Sequence, residues 1–230
     1  MTFPHPESPL PPFPVAGGPL WLPGAAGALE LACAVPAADN ARKGIAVISH
    51  PHPLQGGTMH NKVVTTLERV LLELGLTTVR HNFRGVGRSA GVHDGGVGEA
   101  DDLATIATWA RATHPGDALW LAGFSFGSYV TLRAANRLDP AQLILIAPPI
   151  GRWNFADLAP PSCPWLIVQG EEDEVVDSHA VFTWAQALQP APQVVRMPET
   201  GHFFHRRLVD LRGVLKHALA AYLPPTRNTP

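Results

Sequence analysis

A serine stands between two glycines in Leu121-Ala-Gly-Phe-Ser-Phe-Gly-Ser-Tyr129. A serine hydroxyl is a weak nucleophile, so chemistry at Ser125 needs a base within hydrogen-bond reach and an acid to orient that base. Two later stretches offer these groups. Gln169-Gly-Glu-Glu-Asp-Glu-Val-Val176 is crowded with carboxylates, and Pro198-Glu-Thr-Gly-His-Phe203 carries a histidine, with another close behind at His205. Serine, then acid, then histidine is one of the chain orders in which such a triad is built. By residue type alone, Glu171, Glu172, Asp173, Glu174 and Asp177 all qualify as the acid, and His202 or His205 as the base.

Position matters as much as type. Ala118-Leu-Trp-Leu-Ala122 is a continuous apolar run, the pattern of a strand buried on both faces, and Tyr129 to Arg137 reads as a helix. A chain that turns directly from strand to helix holds one residue in a strained conformation and needs small neighbours. Gly123, Gly127 and Ser128 supply them, which puts Ser125 at the tip of the turn. Around this unit the alternation is regular. Strands are expected at 21–24, 28–35, 44–49, 76–81, 143–147, 165–169 and 193–197. Helices are expected at about 59–74, 99–111 and 179–188, with an amphipathic one near the C-terminus that includes Leu208, Leu211, Leu215 and Leu219. Short apolar strands alternating with helices predict an α/β fold with a largely parallel sheet covered on both faces. Ligands of such sheets gather at the carboxyl ends of the strands. The serine turn, the His50-Pro-His-Pro53 loop and the Gly170–Asp173 turn all fall there.

On these residues the chain resembles the serine hydrolases of the α/β-hydrolase superfamily, from about residue 19 to residue 223. Gly123-Phe-Ser-Phe-Gly127 matches the superfamily's nucleophile elbow. Gly170, Asp173 and Val176 match the G-x-x-D-x-x-V pattern that carries its triad acid, and Gly201-His202 matches its histidine position. The resemblance therefore implies Ser125 as nucleophile, His202 as general base and later general acid, and Asp173 as the group that orients His202. One oxyanion donor is expected from the backbone N–H of Phe126, at a helix N-terminus. The other is expected from the loop after Ser49. Prolines lack an N–H, so between Pro51 and Pro53 only His52 can donate. Aligning His50-Pro51 with the superfamily's His-Gly pair places His52 in the same role. The segment from His50 through Gly56-Gly57 to Val64, with Asn82-Phe-Arg-Gly-Val-Gly-Arg88, is similar to a small bacterial subgroup of these enzymes.

The short stretch between Ala147 and Trp165 contains Pro148, Pro149, Pro160, Pro161 and Pro164. Proline-rich sequence is unsuited to a helical cap. The expectation is a domain over residues 19–223 without a large cap, flanked by a loosely attached proline-rich arm at 1–18 and a tail at 224–230. Trp153, Phe155 and Met59 are placed at the rim of an open cleft, with anchoring of the loop as the alternative for Trp153 and Phe155. Arg84, Asp101 and Asp102 read as structural ion-pair or helix-capping residues.

Composition narrows the remaining classes. The 230 residues carry a net charge of -2 with no basic block, against nucleic-acid binding. No apolar run is long enough to span a bilayer, and the N-terminus lacks the regions of a secretory signal. Cys33 and Cys163 lie far apart and read as buried thiols of a cytoplasmic protein. His50, His52 and His60 could suggest zinc, but prolines disturb the strand geometry that would align them. Gly85-Val-Gly-Arg-Ser-Ala90 fits a loose dinucleotide fingerprint, yet further glycines delay the helix that would seat the pyrophosphate. No cofactor and no metal are expected. The resemblance implies cleavage of a small-molecule ester or thioester through an acyl-serine. The same triad would serve an acyltransferase or a peptidase, and the scaffold could serve a non-catalytic ligand-binding protein.

Overall fold

A computed structural model describes residues 10–227. Eight strands form one sheet in the order β1-β2-β4-β3-β5-β6-β7-β8. These are β1 (Gly18–Gly24), β2 (Gly27–Ala34), β3 (Gly44–Ser49), β4 (Thr77–His81), β5 (Ala118–Phe124), β6 (Gln142–Ile146), β7 (Trp165–Gly170) and β8 (Gln193–Met197). β1, β2 and β4 pair antiparallel, and every pairing from β4 to β8 is parallel. The five α-helices among the described residues are α1 (Lys62–Glu73), α2 (Val97–Thr113), α3 (Phe126–Leu138), α4 (Ser178–Gln186) and α5 (Leu208–Leu219).

Strand side chains alternate between two apolar layers, because successive residues of a strand point to opposite faces. Val47, Leu119, Leu121 and Leu145 pack with Leu103, Ile106 and Trp109 of α2, Val130 and Leu132 of α3, and Val181 of α4. Ala46, Ile48, Trp120, Ile144 and Ile146 face the other way, onto Val63, Leu67 and Val70 of α1 and Leu211 and Leu215 of α5. Each of these large side chains contributes roughly 1.5–3 kcal/mol by leaving water. The six parallel strands are thus covered on both faces, as the continuous apolar runs predict.

Several boundaries differ from the sequence expectation, each for a local reason. α1 begins at Lys62 rather than near Met59, because the Asn61 side chain accepts from the Val63 N–H at 2.8 Å and caps the helix there. α2 begins before Glu99, whose buried carboxylate turns back to accept from the N–H groups of Asp94 and Gly96. Much of the expected arm, residues 1–9, lies outside the described residues. Its C-terminal part is attached: Phe13 stacks on Trp109, and the Trp109 indole donates to the Pro11 carbonyl at 2.7 Å. No cap interrupts the connection from β6 to β7, which contains no helix.

Candidate active site

Ser125 joins β5 to α3 with φ 54 and ψ -121, a left-handed conformation that costs a non-glycine residue on the order of 1–3 kcal/mol. Its neighbours explain how this is held. The Ser125 N–H donates to the Ile146 carbonyl on β6 at 2.8 Å. The Ser128 hydroxyl sits between the carbonyls of Gly123 (2.8 Å) and Ile146 (3.0 Å). A methyl group on Gly123 would lie 2.3 Å from the Gly127 carbonyl oxygen, and one on Gly127 would lie 2.5 Å from that of Ser49. Glycine at these two positions is what lets α3 close down on β5 and on the end of β3.

Three strand ends meet at the hydroxyl. His202, in the loop after β8, places Nε2 3.0 Å from Ser125 Oγ and Nδ1 2.8 Å from Asp173 Oδ2. Asp173 follows β7 and is saturated with donors. Oδ1 accepts from the N–H groups of Val175 (2.9 Å) and Val176 (2.7 Å), and Oδ2 accepts from Gln169 Nε2 at 2.9 Å. Burial alone would raise the Asp173 pKa. The hydrogen bond and charge of His202, followed by the two amides, outweigh burial and hold the carboxyl below its ordinary value. An ionised Asp173 accepts the Nδ1–H, which leaves Nε2 with a free lone pair directed at the serine.

The alternatives to these groups are engaged elsewhere. Asp177 caps α4 by accepting from the His179 N–H. Glu171 and Glu172 are exposed. His205 is exposed too, and its ring faces Phe203. Glu174 has a part that sequence reading assigned to none of the acids. Its Oε2 accepts from the His202 N–H at 3.0 Å, so Asp173 orients the ring and the adjacent Glu174 steadies the backbone. Gln169, read only as a strand residue, braces Asp173. No spacing rule points to either residue.

The loop after β3 passes beside the serine. Ser125 shares one pocket of about 210 Å3 with His52, Gln55, Phe126 and Trp153. The His52 ring packs against Phe126 (5.0 Å), His93 (4.9 Å) and Trp153 (5.6 Å). His93 in turn pairs with buried Glu99 at 2.7 Å. Of the residues placed at the rim, only Trp153 lines this pocket. Phe155 is buried against Tyr129 and Trp184, where it anchors the β6–β7 connection, and Met59 is buried with its N–H on Asn82 Oδ1.

Two of the three histidines weighed as metal ligands, His50 and His52, are engaged in other contacts. His50 is fully buried, with Nδ1 2.6 Å from the Pro51 carbonyl and Nε2 accepting from the Phe83 N–H at 3.0 Å, so both nitrogens are occupied. Burial pushes its pKa down to about 4, and the ring is neutral. The His52 Nδ1 accepts from the Leu54 N–H. Among the described residues no group of three metal-ligating side chains is gathered. Arg84 forms two hydrogen bonds with Asp102, at 2.7 and 2.8 Å, and Arg137 pairs with Asp101, so these are structural ion pairs. Among the described residues no helix is long and apolar enough to cross a membrane.

Residues 42–162 match the family model described as serine aminopeptidase, S33. The chain is 53% identical to an α/β serine hydrolase without a lid from Xanthomonas campestris, with a TM-score of 0.91 over 94% of this chain and 99% of the other. An α/β serine hydrolase homologue from Coxiella burnetii is 45% identical, with a TM-score of 0.85 over 87% of this chain and 96% of that one. An uncharacterized protein of Rickettsia prowazekii is 37% identical over 142 residues, and the match spans 60% of the length of each. With the serine on its strained turn and no cap over it, the chain belongs to the α/β serine hydrolase family.

Proposed function

We propose that this protein cleaves a carboxylic ester or thioester through an acyl-Ser125 intermediate, with Ser125, His202 and Asp173 as the catalytic triad. The observation that carries the reading is the continuous chain from Ser125 Oγ through the two ring nitrogens of His202 to Asp173. In this reading His202 Nε2 takes the serine proton as Oγ attacks the acyl carbon. The carbonyl oxygen gains the negative charge and is held by the N–H groups of Phe126 and His52. Collapse of the tetrahedral species breaks the bond to the leaving group, and His202 returns its proton to that group. Water then enters, His202 takes its proton, and the same sequence releases the acid and restores Ser125.

Leaving-group chemistry favours an ester or thioester over a peptide bond, since an alcohol or thiol departs more readily than an amine. The family model's description as an aminopeptidase makes peptide cleavage the second reading. Cys33 and Cys163 are buried and unpaired, and burial raises their pKa values to about 12 and about 11. Inert, reduced thiols of this kind suit a cytoplasmic protein.

A fluorophosphonate probe is expected to label wild type and not Ser125→Ala. Equal labelling of both would remove Ser125 from the mechanism. Turnover of aryl esters and acyl-coenzyme A thioesters, with none of aminoacyl amides, is expected, and the reverse order would establish the peptidase reading instead.

A further inference from the structure

Beyond the serine, on the side of His202, the cleft continues. Ser125, His202, Phe203, Gly56 and Asn61 line a narrow passage. Gly56, Asn61 and Phe203 are shared with a larger open cavity of about 380 Å3, whose other lining residues include His60, Lys62, His205 and Arg206. Two full cations and two histidines thus face one space, and no carboxylate lines it. In a chain with a net charge of -2 this runs against the overall sign. Among the described residues neither Lys62 nor Arg206 has an ion-pair partner, so neither charge is already neutralised by a carboxylate. The N-terminal end of α1, at Asn61, Lys62 and Val63, opens into the same cavity and adds the positive end of its dipole.

The loop that presents Arg206 is held rigidly. Phe204 and Arg206 both have left-handed backbones, at φ 52 and φ 60. Phe204 is fully buried, its N–H donates to the Gly201 carbonyl, and its own carbonyl accepts from the Arg207 N–H. Strain of this kind persists where surrounding structure over-determines it, and it clusters at functional sites.

Chemistry fixes which part of a substrate enters this cavity. The group that leaves Ser125's tetrahedral intermediate takes its proton from His202 Nε2, so it must lie on the His202 side. The passage lined by His202 and Phe203 is on that side. The 210 Å3 pocket beside Phe126 and Trp153 is not lined by His202 and is left for the acyl group. That volume is below the roughly 300–1,000 Å3 of sites for drug-sized ligands, which suits a short acyl chain.

We propose that the cavity lined by Lys62, Arg206, His60 and His205 is a leaving-group subsite for an anion, so that the preferred substrate is a short-chain acyl ester or thioester whose alcohol or thiol part carries a carboxylate or phosphate. The proposal rests on the acyl-Ser125 reading above. A competing cation, Arg152, lies at the acyl pocket, but its Nε is committed to the Val175 carbonyl at 2.6 Å.

The test compares kcat/KM for aryl acetates whose ring carries a meta carboxamide, carboxylate, phosphate or trimethylammonium group. Wild type is expected to prefer both anionic esters to the neutral one, and the neutral one to the cationic one. The K62Q/R206Q double variant is expected to lower the anionic-to-neutral ratio by about 3- to 10-fold, the yield of two exposed charge pairs. A preference for phosphate over carboxylate would identify the anion as a phosphate, and the reverse a carboxylate. Raising the salt to about 1 M should compress the ratio in wild type, since screening shortens to ~3 Å. A general loss of fold or alignment would lower all four rates together and leave the ratio alone. An unmoved ratio overturns the proposal, as does a wild-type preference for an aryl succinate (anion on the acyl side) over anionic aryl acetates. If the neutral acetate acylates Ser125 while the ratio stays flat, only the anion subsite falls. If no ester acylates Ser125, both readings fall together.

Discussion

His52 offers a way to delete a backbone donor by mutation. Its φ is -53 and its ψ is 123. Proline fixes φ near -65 ± 15°, so His52→Pro fits the existing backbone, and the extended ψ is already what a residue before Pro53 requires. The substitution removes the N–H and puts a ring methylene in its place. His52→Ala is the matched control: it loses the ring and the Nδ1 contact with the Leu54 N–H, but keeps the amide. Loss of one oxyanion donor costs on the order of 100- to 1000-fold in kcat. The methylene intrudes where the amide pointed, so about 100-fold is the floor for H52P relative to H52A. The assay is steady-state hydrolysis of an aryl acetate, with circular dichroism and thermal melts confirming that both variants fold alike. KM should change less than kcat, because the oxyanion forms only after binding. If H52P retains a kcat within about tenfold of H52A, the oxyanion is held by some other group and the assignment of His52 is wrong.

Two further outcomes follow from the packing and the buried histidines. Gly127→Ala would put a methyl group 2.5 Å from the Ser49 carbonyl, so α3 and β3 must separate; this overpacking costs about 1–3 kcal/mol and, at roughly 2–4 °C per kcal/mol, lowers Tm by several degrees. Because β3 carries the His52 loop, activity should fall further than stability, whereas Gly213→Ala in α5, whose methyl group would touch nothing, should raise stability by about 0.5–1 kcal/mol; equal effects of the two would contradict the packing. Two buried histidines are pH-linked, His50 with a folded pKa of about 4 and His81 with one of about 3; for His50, the unfolded chain binds the extra proton between that value and the ordinary 6.5. The His50 contribution is complete above about pH 6.5 and is lost as pH falls toward 4, up to about 3 kcal/mol. His50→Gln, which can still accept from the Phe83 N–H, should flatten the dependence of Tm on pH in that window, and an unchanged slope would mean that another group sets it.

The sequence is most legible where one physical rule leaves few solutions. Apolar runs such as Gly44–Ser49 and Trp165–Gln169 are too short for ordinary helices and so read as buried strands, and Gly123 and Gly127 mark a turn that tolerates no side chain. The residues that brace the site are less legible. Glu174 was one acid among several at the β7 turn; its contact with the His202 backbone depends on two loops from different strands meeting. Phe155 and Met59 read as rim residues because large apolar side chains beside a loop can face either way. Burial decided them, and burial is set by neighbours distant in sequence, such as Trp184 for Phe155 and Asn82 for Met59. The Glu99 carboxylate is similarly hidden. Its partners lie a few residues back, but a glycine-rich loop gives no periodicity from which to predict the turn.

Asp173 and His202 belong to one mechanical unit. The loops after β7 and β8 are fastened together by the Glu171 N–H on the Met197 carbonyl, the Glu172 N–H on the Thr200 carbonyl and the Glu174 bond to His202. Gly170 lies so close to Thr200 that a methyl group there would be 2.2 Å from its carbonyl. The serine instead belongs to the sheet's interior, between β3 and β6. β8 is the edge strand on this side of the sheet, and most of its residues keep some contact with water. Edge elements open at lower free energy than the core, so a brief detachment of β8 would carry His202, and Asp173 with it, away from an undisturbed Ser125. The hydroxyl would then lose its proton acceptor while its own turn stayed intact. Hydrolytic activity should therefore report the fraying of this one margin of the sheet well before spectroscopic signals register loss of the fold.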